Sequence, residues 1–107
     1  MDDKDEVQER LRATSLKLGV YRHYKGGLYV LFAESVREET LEPMVHYFSL
    51  EKKTRWTRSK SNFGETVVLP NNSGVSRRFA YDREATVHEL CQAFGFEVDV
   101  KLHGWRV

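Results

Sequence analysis

The sequence predicts a mainly β domain: a small curled antiparallel sheet or a partly open SH3-like barrel, with a helix near each end. Three observations predict it. Apolar and polar residues alternate in short runs between Val20 and Tyr81, the period-two pattern of half-buried strands. Turn-forming clusters such as Lys25-Gly26-Gly27 and Pro70-Asn71-Asn72-Ser73-Gly74 punctuate those runs. Helical spacing of apolar residues is confined to the two flanks. The 107 residues make one domain, 1–107, and a chain of this size buries roughly two-thirds of its unfolded surface.

Taken in order, Val7, Leu11 and Leu18 recur at spacings that predict an amphipathic helix over about residues 4–18. Acidic residues sit near its start, Lys17 near its end, and Gly19 suits the position just past it. Val20 to Tyr24, the turn at 25–27 and Leu28 to Phe32 form a hairpin. Residues 37–43 are polar and end at Pro43, which predicts a loop. Met44 to Leu50 is a strand with bulk on both faces, Val45, Tyr47 and Ser49 on one and Met44, His46, Phe48 and Leu50 on the other. That pattern belongs to a central or covered strand.

Arg55 to Arg58 is a short strand, 59–63 one helical turn, Thr66 to Leu69 a strand, and Val75 to Tyr81 the next. The segment from Glu84 to Phe94 has helical spacing through Val87, Leu90, Cys91 and Phe94, with Thr86 and Glu89 at the spacing of a capping box and Gly95 at the end. Phe96 to Leu102 alternates as a half-buried strand, and Trp105 and Val107 anchor the end.

Seventeen basic and sixteen acidic residues give a net charge of +1, so no global field draws the chain to nucleic acid. One Cys and four dispersed His exclude a disulfide framework and a familiar zinc cage. Nothing in the sequence calls for a metal or a cofactor. No apolar run approaches the ~20 residues of a membrane helix, and the acidic start is unlike a signal peptide. A cytoplasmic protein without a membrane partner is expected.

Two constellations carry candidate chemistry. The first joins Arg22, Tyr24 and Lys25 of the hairpin to Arg37, Glu39 and Thr40 of the following loop. A guanidinium fork, a phenol and hydrogen-bonding groups suit a small polar or anionic ligand or a protein partner. This requires the loop to fold back beside Arg22. The second is Lys52, Lys53, Arg55, Trp56, Arg58 and Lys60, in a stretch with a local charge of +4 over residues 51–63. Cations interleaved with an aromatic ring are the pattern of an RNA or DNA surface. His88 and Cys91 share a helix face, but Cys91 fits the apolar stripe, where buried cysteine is ordinary.

The series Tyr21-Arg22-His23-Tyr24-Lys25-Gly26 followed by Tyr29 resembles the opening signature of DUF1653, a family of small bacterial proteins of unknown function. Glu39-Thr40-Leu41-Glu42, Val45 with Tyr47, Trp56 with Arg58, Phe63 with Glu65 and Val67, and Arg78-Phe79 continue the likeness in order over residues 19–81. The resemblance implies a compact, mainly β domain and assigns no reaction. Arg37-Glu38 stand where the family has His-Ser, Ser59 where it has Pro, and Asn62 where it has Met. A reaction using that His-Ser pair is not expected here. The leading expectation is a noncatalytic binding domain. The alternatives are nucleic-acid binding through residues 52–60 and a small hydrolase or transferase using Glu39 with Arg22 or Arg37.

Overall fold

A computed structural model describes residues 16–95. The expected strand over 96–102 and the anchors Trp105 and Val107 lie outside the described residues. So does most of the expected helix over 4–18, whose last three residues, 16–18, are irregular.

Seven strands are present among the described residues: β1 (Gly19–His23), β2 (Leu28–Val36), β3 (Pro43–Ser49), β4 (Arg55–Ser59), β5 (Thr66–Val68), β6 (Val75–Arg77) and β7 (Phe79–Arg83). Strands β4-β3-β2-β1-β7 form one antiparallel sheet, and β5-β6 a separate ribbon. The first four strands follow one another as a meander, because each connection is a short turn. β7 then returns along the outer side of β1. The sheet is not closed into a barrel: β4 and β7 are both edges. It nonetheless curls, since the guanidinium of Arg58 on one edge lies 5.8 Å from the ring centroid of Phe79 on the other. Bulges at Leu31/Ala33 and Val20/Tyr21 supply extra local twist.

The two sheet faces each bury a cluster. Tyr21, Leu31, Val45, Tyr47, Phe63 and Phe79 pack on the concave face. Val20, Val30, Phe48 and Ala93 pack on the other. Two short helices cover them. Helix α1 (Lys60–Phe63) starts at Ser59, whose hydroxyl accepts the Asn62 N–H, and it seats Phe63 on the concave face. Helix α2 (Val87–Phe94) sets Leu90 and Ala93 on the opposite face. The two-sided bulk of β3 is thereby explained, as β3 lies between β2 and β4 with both faces covered.

Two elements differ from the sequence expectation. The expected continuous strand 75–81 breaks at Arg78, and its halves join different sheets. The Arg78 N–H donates to Glu65 O while its carbonyl accepts the Tyr24 N–H, so this residue bridges ribbon and sheet. In α2 the apolar stripe is rotated: Val87 is 74% exposed, and Ala93 makes the buried contact instead. Arg55 sets this docking, donating from Nε to Ala93 O at 2.6 Å and from Nη2 to Gln92 O at 3.0 Å. These bonds engage carbonyls of the last helical turn, where intrahelical donors run out; the Gln92 carbonyl also accepts the Gly95 N–H.

Candidate functional site

The period of a strand decides which hairpin side chains meet. In β1, Tyr21 and His23 face the concave side, where their partners are Tyr29 of β2 and Phe79 of β7. In β4, Trp56 stands opposite Tyr47 and Arg58 opposite Val45, also on that side. His23, Tyr29, Tyr47, Trp56, Arg58 and Phe79 together line a cavity of about 170 Å³.

Its walls are rings in edge contact. Phe79 meets Tyr47 at 5.3 Å, Tyr29 at 5.5 Å and His23 at 4.8 Å between centroids, with interplanar angles of 66–86°. Such edge-to-face contacts set the positive rim of one ring against the negative face of another. Behind them Phe63 stacks on Phe79 at 4.2 Å. Trp56 is the open wall: it is 46% exposed, so one part of its ring is open to a ligand.

Arg58 brings charge into this setting. Its Nε donates to the Tyr47 hydroxyl at 3.2 Å and its Nη1 to Asn62 Oδ1 at 2.5 Å. Both acceptors are neutral, so the positive charge is positioned without being cancelled. Asn62 in turn donates to Glu65, which pairs with Arg78 at 3.0 Å. His23 Nδ1 accepts the Lys25 N–H at 3.1 Å, so the neutral ring carries its proton on Nε2. Its pKa is lowered from 6.5, first by burial, then by the fields of Arg58, Arg78 and Lys25. The cavity therefore combines aromatic walls, a guanidinium and a neutral imidazole in a positive field.

The first sequence constellation is not brought together. Tyr24 and Lys25 sit in the β1–β2 turn, while Arg37, Glu39 and Thr40 sit in the β2–β3 turn. The nine residues of β2 separate those turns, a span of about 30 Å. The loop does not fold back on Arg22, because its bond from Arg37 N–H to Glu42 O closes it locally. Arg22 lies on the far face from His23 and stands 3.7 Å from Asp82. Tyr24 contributes differently, packing its ring 4.7 Å from that of His23.

The basic stretch is also divided. Lys52 and Lys53 are exposed in the β3–β4 turn. Arg55 caps α2 on one face, while Trp56 and Arg58 line the cavity on the other. Lys60 is 3% exposed, with Nζ 2.7 Å from Glu34 Oε1, a buried ion pair rather than a phosphate contact. The sequence reading of residues 52–60 thus named two cavity residues without their neighbours. It missed His23, Tyr29, Tyr47 and Phe79 as lining residues. Their signal was alternation within each strand, but which strands adjoin cannot be counted from alternation.

Cys91 is half-buried. Among the described residues, no group of three His, Cys, Asp or Glu side chains is placed to hold a metal, and no helix is long and apolar enough to cross a membrane.

The chain matches DUF1653, a protein family of unknown function, over residues 19–81. It belongs to that family. A crystal structure of a DUF1653 family protein from Bordetella bronchiseptica is 35% identical, has a TM-score of 0.60, and the match covers 67% of this chain and 94% of that one. No curated protein matches the chain. All six residues lining the DUF1653 domain's cavity are among those that carry the sequence likeness to the family. The departures do not touch the lining: Arg37 and Glu38 are in the far turn, Ser59 caps α1, and Asn62 holds Arg58.

Proposed function

We propose that this DUF1653 domain is a noncatalytic binding domain, and that its concave-face cavity receives a small ligand combining a flat ring with an anionic group. The observation that carries this is Arg58, an arginine without a carboxylate partner among the described residues, held among four aromatic side chains. Core packing accounts for Tyr47 and Phe79, which are buried. It does not account for a half-exposed Trp56 beside a positioned guanidinium. Rings favour another planar ring, and Arg58 favours an anion over a cation. The lining supplies groups that hold and orient. His23, its acid–base candidate, already has Nδ1 engaged by a backbone N–H.

The test is a titration of the full chain with a nucleoside monophosphate, the matching nucleoside, and inorganic phosphate, read by calorimetry and backbone amide shifts. The monophosphate is expected to bind most tightly, with shifts at His23, Trp56 and Arg58. Trp56→Ala should weaken it about tenfold or more, the worth of one stacked ring, while leaving thermal stability nearly unchanged. Absence of shifts with all three probes, or shifts confined to residues 37–42, would sink the reading.

A further inference from the structure

The concave face holds a second cavity, also about 170 Å³, lined by Leu16, Tyr21, Phe63, Gly64, Arg77, Phe79 and Tyr81. Phe79 belongs to both cavities, and Phe63, stacked on it, lines the second. The two hollows have matching composition. Each has tyrosine and phenylalanine walls and one arginine, Arg58 in the first and Arg77 in the second. Each is smaller than the ~300–1,000 Å³ of a drug-sized pocket, so each has room for no more than one flat ring.

We propose that the two cavities are adjacent subsites for two successive bases of a short single-stranded nucleic acid. This rests on the binding reading above and extends it from one ring to two. Charge supports the assignment. Neither Arg58 nor Arg77 has a carboxylate within ion-pair distance among the described residues. The carboxylates nearby are already engaged: Glu65 by Arg78, and Glu34 by Lys60. Lys17 adds a further cation, its Nζ 4.7 Å from the Tyr81 ring centroid. Arg78, next to Phe79 in the chain, pairs with Glu65 through Nη2 but has a buried Nε without a hydrogen-bond partner among the described residues. Two rings joined by an anionic linker match two adjoining aromatic hollows that each carry an arginine. Aromatic platforms with interleaved cations bind single strands in this way, each base stacking with little regard to its identity. The phosphate contacts come from the arginines beside the rings, not from the Lys52–Lys53 turn.

The experiment compares a nucleoside monophosphate, a dinucleotide carrying the same base twice, and the peptide Tyr-Glu-Tyr on the full chain. Wild type, Arg77→Gln and Tyr81→Leu are titrated. Arg77 and Tyr81 are both exposed, and circular dichroism confirms that each variant folds. The dinucleotide is expected to bind wild type about tenfold or more tightly than the monophosphate. Each variant should remove that gain and leave monophosphate affinity unchanged, and dinucleotide affinity should fall as salt rises. Equal affinity for the two nucleotides would overturn the second subsite while leaving the first intact. A peptide that binds as tightly as the dinucleotide would overturn the nucleic-acid assignment. Failure of both nucleotides would overturn the single-ring reading along with this one.

Discussion

His23 shows how a single side chain is set by its surroundings. Burial and the nearby Arg58, Arg78 and Lys25 lower its pKa from the usual 6.5, because each disfavours a charged ring. The unfolded chain then binds the proton more readily than the folded one. The folded state is accordingly undiminished above pH 6.5 and loses stability as pH falls from 6.5 through the folded value. An anion in the cavity offsets the arginine fields and moves the titration back up. Nuclear magnetic resonance of the His23 ring protons should give a midpoint below 6.5 in the free protein, shifting upward with a bound phosphate monoester. A free midpoint at or above that value contradicts the described environment. Along the strand His23 alternates with Arg22 and Tyr24, the two residues that the sequence reading assigns to the ligand. The structure gives the cavity to His23, since the sheet curls toward that side.

At the scale of an element, helix α2 is held by what lies at its two ends. Thr86 and Glu89 form the capping box that their spacing predicts: Thr86 Oγ1 accepts the Glu89 N–H at 3.1 Å, and Glu89 Oε1 accepts the Thr86 N–H at 2.9 Å. Arg83 adds a two-pronged contact to the Glu89 carboxylate at 2.8 Å. Hydrogen bonding from Arg83 is the first cause that lowers the Glu89 pKa from 4.5 to about 2. A depressed carboxyl pKa stabilises the fold above the unfolded value, and the gain is lost as pH falls from 4.5 towards 2. Urea denaturation across that range should show Glu89→Gln less stable than wild type at neutral pH, with the difference shrinking in acid. Thr86→Ala should cost about 1 kcal/mol. A pH-independent difference for Glu89→Gln would remove the charge from the account. The cap was legible because it is local, four residues long. The rotated apolar stripe was not, because Arg55 comes from a strand 37 and 38 residues away from the carbonyls it holds. On the same face, His46 hydrogen-bonds Ser35 Oγ through Nε2 at 2.7 Å and Thr57 Oγ1 through Nδ1 at 3.1 Å, linking β2, β3 and β4; a neutral ring donates in one of these bonds and accepts in the other.

Across the whole molecule, Phe79 is where core and site become one structure. It stacks on Phe63, meets Tyr47 and Tyr29 edge-on, and lines both cavities. Phe79→Ala should therefore destabilise the fold by about 3–5 kcal/mol and join the two hollows. Val75→Thr on the exposed ribbon should change stability by no more than about 0.5 kcal/mol. Chemical denaturation of the two variants checks both. A loss under ~1 kcal/mol for Phe79→Ala would mean that the aromatic cluster is not the concave core, since burying such a ring is normally worth several times that.

The sequence by itself determined the mainly β class, the hairpin, the two-faced central strand, the helical turn after β4 and the cap of α2. These are written in local patterns: period-two alternation, turn residues, and side chains three positions apart. It also carried the family, through an ordered series of short motifs. Tertiary structure decided the order β4-β3-β2-β1-β7, the open edges, and the break at Arg78. It also decided the site. A turn pair close in sequence, Lys25 and Arg37, is separated because the nine-residue strand β2 runs between them. Residues far apart in sequence, His23, Trp56 and Phe79, converge because the sheet curls until its two edge strands face each other. Alternation tells which side of a strand a residue occupies; only the hydrogen-bonded register and the twist tell which other side chains share it.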